Sequence, residues 1–352
     1  MKICVIGGGN IGTVLAAELA AKGQTVIMMT THSQGWSREL MVYDAAEKLL
    51  YTGVLAEVTD DLKHAVQNAE LVFVTYPAFL FRNLSKQLEP ILRVNQKLVI
   101  VPGSGGVERE FAGLIAKGVE IWGLQRVHDI ARLKEKGRSV YSLGRKSSLK
   151  VAAIPAQASQ QAAKTIEDLL EIPCQALPNY WCVTLNPSNP ILHPSRIYTM
   201  FKDYTDGTVY DHEILFYEEW DDVASEVLFR CDAELQALCR AIPEDLSGVE
   251  SLPSYYESPT PASMTRKIRS IPAFKGIKAP MRKVEGGWVP DFESRYFTAD
   301  FPYGLNVIRR VATEYEVRTP MMDEIWGWYT RQVNKQGDFA AKKWSREPGL
   351  NR

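Results

Sequence analysis

The chain of 352 residues is poor in cysteine and has no long apolar segment, and these absences exclude several classes of protein. Its five cysteines are scattered, so we expect no disulfide framework, and no Cys/His spacing predicts a metal site. No apolar run reaches the length of a membrane span. Because the N-terminus enters an apolar run after a single lysine, we also expect no signal peptide. The sequence therefore predicts a cytoplasmic protein without a metal.

The chain also has no excess of positive or negative charge. The chain has 41 Lys and Arg residues against 42 Asp and Glu residues, for a net charge of −1. This balance gives no reason to expect nucleic acid or a membrane surface as a partner. The length is sufficient for two domains, each with its own core.

What the sequence does have is a glycine-rich turn near its N-terminus. Residues 3–6 form a short apolar run typical of a buried strand, and three glycines follow as G-x-G-x-x-G, then a helical pattern and a second apolar run at 25–29. In this context the glycines permit a tight turn, let a pyrophosphate approach the backbone and let the helix pack close to the strand. A glycine-rich turn without a ligand is the alternative. The predicted cofactor contacts are Gly7, Gly9, Asn10, Ile11 and Gly12.

The end of the second strand favours NADP, with NAD as the alternative. Binding of NAD usually involves an acidic residue there, which holds the ribose 2′-hydroxyl. In this chain the strand runs into Thr30, Thr31, His32 and Ser33, with Arg38 a little later and no acid nearby in the sequence. Hydroxyl, imidazole and guanidinium groups can hold a 2′-phosphate. If residues 30–33 only cap a helix, either cofactor is accepted.

Strands and helices continue to alternate after this first unit. Further strands are predicted at 54–58, 71–75, 97–101 and 119–124, with two β-rich runs between 139 and 154 and a helix at 156–170. This alternation predicts an α/β fold with a doubly wound parallel sheet of the Rossmann type, whose ligands bind at the carboxyl ends of the strands. Tyr76 and Pro77 follow one of these strands, so we place them at the cofactor.

The pattern changes beyond residue 180. We predict a nucleotide-binding domain over 1–180 and a helical substrate domain over 181–352. Within the second domain, the sequence predicts a long amphipathic helix at 213–240, loops at 245–292, helices at 303–315 and 320–333, and a polar tail after Gly337 without a motif.

Two motifs in the second half contain candidate catalytic groups. His193 lies in the sequence Asn189-Pro190-Ile191-Leu192-His193-Pro194, where the prolines restrict the backbone and so provide a rigid mount for a general acid/base. A second motif runs from Arg295 to Gly304. Asp300 in this motif can orient a histidine, and Arg295 offers a bidentate fork for a carboxylate. A hydrogen-bonded core histidine, a surface ion pair and a helix cap are the alternatives.

Together, the glycine fingerprint and the two motifs resemble the octopine/nopaline (opine) dehydrogenases, and the resemblance covers nearly the whole chain. It implies a Rossmann-type domain followed by an all-helical substrate domain, with catalysis in the cleft between them. It implies the reductive condensation of an amino acid with a 2-keto acid, using NADPH or NADH. The partners would be these small molecules, and a homodimer is a candidate assembly.

The resemblance also implies roles for particular residues. His193 would be the general acid/base and Asp300 its carboxylate partner, while Arg295 would bind a substrate carboxylate and Asn189 would contact substrate. Gln125 matches a segment that approaches substrate in the family, although proline is common there at the position of His128 in this chain.

The sequence is also compatible with two other functions. A 2-keto acid reductase of the ketopantoate reductase type would use a catalytic lysine in the helical domain, and Lys202 is the nearest candidate. A cofactor-sensing Rossmann protein would need no His/Asp pair. We expect an opine dehydrogenase to oxidise NADPH only when an amine and a keto acid are both present. This requirement distinguishes it from the reductase and from the cofactor-sensing protein.

Overall fold

The computed structural model describes residues 1–335, so the predicted tail after Gly337 lies outside the described residues. The described chain forms two compact units. The first comprises Met1–Asn186 and a short returning segment, Glu244–Val249. The second comprises Pro187–Pro243 and the described chain from Glu250 onward. The chain thus leaves the first unit at Asn186, after the helix that follows the predicted boundary at 180/181.

The first unit contains twelve strands and seven α-helices among the described residues. Its strands are β1 (Lys2–Ile6), β2 (Thr25–Met29), β3 (Glu39–Tyr43), β4 (Leu49–Val54), β5 (Glu57–Thr59), β6 (Leu71–Val74), β7 (Lys97–Ile100), β8 (Glu120–Leu124), β9 (Asp129–Glu135), β10 (Ser139–Arg145), β11 (Leu149–Ile154) and β12 (Cys174–Ala176). Its helices are α1 (Asn10–Ala21), α2 (Leu62–Val66), α3 (Phe81–Leu88), α4 (Val107–Glu110), α5 (Ala112–Ala116), α6 (Ser159–Leu170) and α7 (Trp181–Thr184).

The main sheet has eight strands in the order β12-β11-β8-β7-β6-β1-β2-β5. Neighbouring strands are parallel, except that β11 runs antiparallel to β8. All four residues of β6 are buried, as expected for a parallel strand covered on both faces. Because β1 lies between β2 and β6, the loops that follow these three strands meet at one edge of the sheet. The predicted Rossmann-type fold is confirmed, and this edge is where such sheets bind nucleotides.

The predicted strand at 54–58 is wrong in its bounds. Strand β4 ends at Val54 and belongs to a second, four-stranded sheet with the order β4-β3-β10-β9, whereas β5 begins at Glu57 in the main sheet. Near this break Gly53 lies against α1: a Cβ on Gly53 would be 2.1 Å from the carbonyl oxygen of Ala17. The predicted run is thus divided between two sheets.

The second unit, as far as residue 335, is helical apart from one hairpin. Its elements are α8 (Ser188–Phe201), α9 (Asp222–Ala241), α10 (Leu252–Tyr255), α11 (Pro261–Ser270), the hairpin of β13 (Met281–Val284) and β14 (Gly287–Pro290), a π-helix (Tyr296–Leu305), α12 (Asn306–Glu314) and α13 (Pro320–Lys335). The hairpin and α11 lie within the region 245–292, where only loops are predicted from the sequence. The predicted helix at 303–315 is in fact the end of the π-helix followed by α12.

The predicted helix at 213–240 begins too early. Helix α9 starts at Asp222, because the carboxylate of Asp221 accepts a hydrogen bond from the Ala224 N–H at 2.7 Å and so caps its first turn. Residues 213–221 form a separate turn instead. The amphipathic pattern continues across this cap because Phe216 and Trp220 are fully buried outside the helix.

A buried ionic cluster lies within the first unit. Glu18 of α1 is 2% exposed and forms ion pairs with Arg145 and, at 3.0 Å, with Lys22. Its other carboxylate oxygen lies 3.7 Å from Nε2 of His128, which is fully buried and has no hydrogen-bond partner among residues 1–335 on either ring nitrogen. Burial lowers the pKa of His128 to about 4, and the weaker attraction of Glu18 does not offset it. His128 is therefore neutral in the folded protein near pH 7.

This histidine should make the fold sensitive to mild acid. Between pH 7 and pH 5 an unfolded histidine, with a pKa near ~6.5, takes up a proton that folded His128 does not, so stability is lost as pH falls. We expect a loss of about 2 kcal/mol from this residue in urea unfolding at the two pH values. The loss should disappear in His128→Gln and persist in His212→Gln, which removes an exposed histidine. An unchanged loss in His128→Gln would assign the acid sensitivity to other groups.

Candidate functional site

The glycine-rich turn joins β1 to α1, and its geometry depends on glycine at residue 12. A Cβ on Gly12 would lie 1.7 Å from the carbonyl oxygen of Gly7, so only glycine lets the helix start this close to the strand. Gly9 precedes α1 and supplies no side-chain cap, and a Cβ on Gly9 would meet nothing within 4 Å. The first N–H groups of α1 therefore adjoin open space, which fits a pyrophosphate group.

The neighbouring residues hold this turn in place. The Thr75 hydroxyl, directly after β6, donates to the carbonyl oxygens of Ile6 at 3.1 Å and Gly7 at 3.2 Å. The Asn10 side-chain oxygen accepts a hydrogen bond from the Leu133 N–H at 2.9 Å, and Ile11 packs against the core. Tyr76 and Pro77 follow Thr75 in the chain. The Tyr76 ring lies beside the turn, since a Cβ on Gly7 would be 3.1 Å from it, and Pro77 directly precedes a 3₁₀ helix.

The residues after β2 form the part of the site predicted to hold the ribose. The Thr30 N–H donates to the carbonyl oxygen of Thr59 at 3.0 Å, and the Thr31 hydroxyl lies 3.0 Å from Nδ1 of His32. Thr31 and His32 are exposed. Arg38 uses its Nε to donate to the carbonyl oxygen of Leu55 at 2.9 Å, which anchors this side chain.

An acidic residue lies beside this segment in space, although none is close to it in the sequence. The Ser33 hydroxyl donates to Oδ2 of Asp60 at 3.2 Å. Asp60 directly follows β5, and β5 pairs with β2, so their carboxyl ends are adjacent. The sequence does not indicate this contact because Asp60 is 27 residues away from Ser33 and only the pairing of β5 with β2 brings the two together.

In the second unit, a close approach of two elements brings the two motifs together. A Cβ on Gly304 would lie 2.9 Å from Cα of Pro190, so this glycine allows the π-helix to pack directly on α8. Within that contact, Nδ1 of His193 lies 2.8 Å from Oδ2 of Asp300. His193 is 9% exposed. The π-helix is a form that often occurs at functional sites, and here it carries Asp300 to the histidine.

A third residue completes the surroundings of His193. The Tyr217 hydroxyl lies 3.0 Å from Nε2 of His193. Because a carboxylate only accepts, Asp300 requires the proton on Nδ1, and Nε2 of the neutral ring then accepts from Tyr217. Burial raises the pKa of the Tyr217 phenol well above its usual value, so it keeps its proton and can donate. Sequence reasoning missed Tyr217 because residue 217 was assigned to an amphipathic helix.

The predicted substrate-binding residues occupy different settings. Arg295 is exposed at the start of the π-helix and has no ion pair with any residue in the range 1–335. Asn189, near the start of α8, is also exposed. In the first unit, the Gln125 amide group donates to the carbonyl oxygens of Cys182 at 2.7 Å and Gly248 at 3.1 Å. The side-chain nitrogen of Gln125 is thus hydrogen-bonded to two backbone carbonyl oxygens.

Three further features bear on other functions: the candidate lysine of a reductase, groups of metal ligands and membrane-spanning helices. Lys202, the candidate lysine of a keto acid reductase, is 44% exposed and lies 3.6 Å from the carboxylate of Asp203. Within residues 1–335, no group of three or more His, Cys, Asp or Glu side chains is placed to hold a metal. None of the helices in the same range is long and apolar enough to cross a membrane.

Comparisons with known proteins agree with this organisation. Residues 176–332 match the family described as NAD/NADP octopine/nopaline dehydrogenase, alpha-helical domain, and residues 2–140 match the N-terminal part of NAD-dependent glycerol-3-phosphate dehydrogenase. The chain is 26% identical to octopine dehydrogenase of Mizuhopecten yessoensis, with 95% of this chain and 90% of that protein covered. It is 28% identical to opine dehydrogenase of Haliotis discus hannai, with 96% and 91% covered.

A solved structure gives the same result. Octopine dehydrogenase in complex with NADH and L-arginine has a TM-score of 0.83 and 25% identity to this chain, with 95% of this chain and 90% of that chain covered. Residues 176–332, the helical part of this chain, thus match the octopine/nopaline (opine) dehydrogenase family, and the comparisons support an NAD(P)-dependent oxidoreductase that reductively condenses the amino group of an amino acid with a 2-keto acid.

Proposed function

We propose that His193 and Asp300 handle the protons of this condensation, and that the keto acid is pyruvate-like. The observation that carries the proposal is the 2.8 Å contact between Nδ1 of His193 and Oδ2 of Asp300. This contact orients the ring and leaves Nε2 as the nitrogen that exchanges protons. The product would be an N-(1-carboxyalkyl) amino acid.

The proton balance of the reaction suits one such group. Imine formation moves two protons from the amine nitrogen to the keto oxygen. His193 removes the first as the new C–N bond forms, and the imidazolium delivers it to that oxygen to give the hydroxyl. His193 then removes the second proton and delivers it to the hydroxyl, which leaves as water. Asp300 stabilises the imidazolium between these two steps. When bound, the reduced nicotinamide cofactor supplies the hydride for the imine carbon.

We propose that the cofactor is held by the turn after β1 and by residues after β2 and β6. The N–H groups at the start of α1 would bind the pyrophosphate, with Tyr76 and Pro77 beside the turn. Thr30, Thr31 and Ser33 would hold the ribose, and Arg38 would add positive charge there. The lack of a carboxylate on residues 30–33 supports a preference for NADPH, while Asp60 beside Ser33 opposes a 2′-phosphate and limits that preference.

The substrates are proposed to be anchored by their carboxylates. Arg295 supports this role because its guanidinium is exposed and has no ion pair among residues 1–335. Asn189 and Gln125 are proposed as further substrate contacts. For Gln125 this leaves the side-chain oxygen, since its nitrogen is hydrogen-bonded to two carbonyls. The cytoplasmic location and a homodimer stay predictions.

A cofactor-oxidation screen tests both the reaction and the cofactor. We expect NADPH oxidation only when an amino acid and a 2-keto acid are both present, with a higher kcat/KM for NADPH than for NADH. Asp60→Asn should increase this ratio, since it removes a negative charge beside the 2′-phosphate, whereas Asp61→Asn serves as a matched control. Oxidation with the keto acid alone would favour a plain reductase, and a preference for NADH would contradict the cofactor assignment.

A further inference from the structure

The hydrogen bonds of His193 restrict how it can exchange protons with a substrate. Asp300 occupies Nδ1, and the Tyr217 hydroxyl is the described hydrogen-bond partner of Nε2. The ring is also enclosed by aromatic groups, since the ring centroids of Phe216 and Tyr296 lie 5.5 Å and 4.7 Å from that of His193. A group that exchanges a proton with His193 must therefore displace the Tyr217 hydroxyl or act through it.

The surroundings of Tyr217 oppose its displacement. Arg196, on the helix that carries His193, is 3% exposed. Its Nε donates to the carbonyl oxygen of Phe216 at 3.1 Å and its Nη2 to that of Glu219 at 2.6 Å, so both sides of Tyr217 are fixed to the helix. The Tyr217 ring also stacks on Phe274, with the ring centroids 4.0 Å apart.

Resting on the function proposed above, we propose that Tyr217 relays the proton between the substrate nitrogen and Nε2 of His193. As the phenol O–H bond breaks, its proton passes to Nε2, and a new O–H bond forms with the proton that leaves the substrate nitrogen. The phenol is regenerated, one proton has moved from substrate to His193, and Asp300 balances the imidazolium charge. The same path in reverse returns the proton to the leaving hydroxyl.

The hydroxyl can be removed while its ring stays in place. In Tyr217→Phe the stacking on Phe274 is retained, so the fold around His193 should be unchanged. Because the hydroxyl that relays the proton is lost, we expect kcat to fall by about tenfold to a hundredfold. The KM of each substrate and the affinity for NADPH should stay within about twofold, because the contact of the hydroxyl with the substrate nitrogen acts in the transition state of proton transfer rather than in ground-state binding. Tyr198→Phe is the matched control: it removes a hydroxyl of the same unit, bonded to Glu324 at 2.5 Å, and should leave kcat unchanged.

A second measurement uses the unaltered protein. If Tyr217 relays the proton, the rate in mixtures of light and heavy water should follow a two-proton dependence, which becomes a one-proton dependence in Tyr217→Phe. A wild-type kcat in Tyr217→Phe, or a one-proton dependence in the unaltered protein, would overturn the relay. If His193→Ala is inactive while Tyr217→Phe is fully active, the relay alone fails. If His193→Ala retains its turnover, the proposed function itself fails.

Discussion

Replacing His193 by alanine should lower kcat by about 100- to 10,000-fold, the range that a positioned general acid/base contributes. Binding of NADPH, followed by fluorescence, should be unchanged, because the glycine turn lies in the first unit. Asp300→Asn should also lower kcat, since an amide does not stabilise the imidazolium. The double variant should be little worse than His193→Ala alone, because residues that act as one unit are strongly non-additive.

The second unit offers a control for this experiment. His212 is exposed and contacts the carboxylates of Asp211 at 2.6 Å and Glu219 at 3.1 Å, so it is also a histidine paired with acids. His212→Ala should leave kcat unchanged. Losses that multiply in the double variant of His193 and Asp300 would show that the two residues act separately, and normal turnover in His193→Ala would remove the mechanism.

Replacing Arg295 by alanine should lower kcat/KM for one of the carboxylate substrates by about a hundredfold, equivalent to ~2.7 kcal/mol. The reason is that a charge-assisted, bidentate contact with a carboxylate is lost. Arg295→Lys keeps the charge but not the fork, so we expect a loss of about tenfold, mainly as a higher KM. Steady-state kinetics with each substrate varied in turn would identify which carboxylate is bound.

Arg282 provides the comparison, since it is an exposed arginine on the hairpin of the same unit. Arg282→Ala should leave both KM values unchanged, which separates a specific contact from a general loss of positive charge. If Arg295→Ala also keeps both KM values and kcat, Arg295 does not contact substrate and the role implied by the family resemblance is wrong.

The local features of the first unit could be predicted from the sequence because they depend on short-range physics. The turn after β1 requires glycine at residue 12, and the pattern of apolar residues specifies a buried strand, a helix and another strand in order. Strands such as β6 and β7 are continuous apolar runs, and the structure places them within one residue of their predicted ends. The resemblance carried by the two motifs supplied His193 and Asp300.

The remaining features depend on which elements become neighbours, and a pattern along the chain does not contain that information. Asp60 lies near Ser33 because β5 pairs with β2, and the strand break after Val54 separates β4 and β5, which belong to different sheets. Tyr217 reaches His193 from the turn that precedes α9, and Arg196 holds this turn by hydrogen bonds to its backbone. The sequence by itself determined the buried strands at 71–74 and 97–100, the glycine turn and the pair of motifs, because these follow from periodicity and residue type. The partners of His193 and of the ribose position were decided by tertiary packing, because a hydrogen bond depends on distance in space.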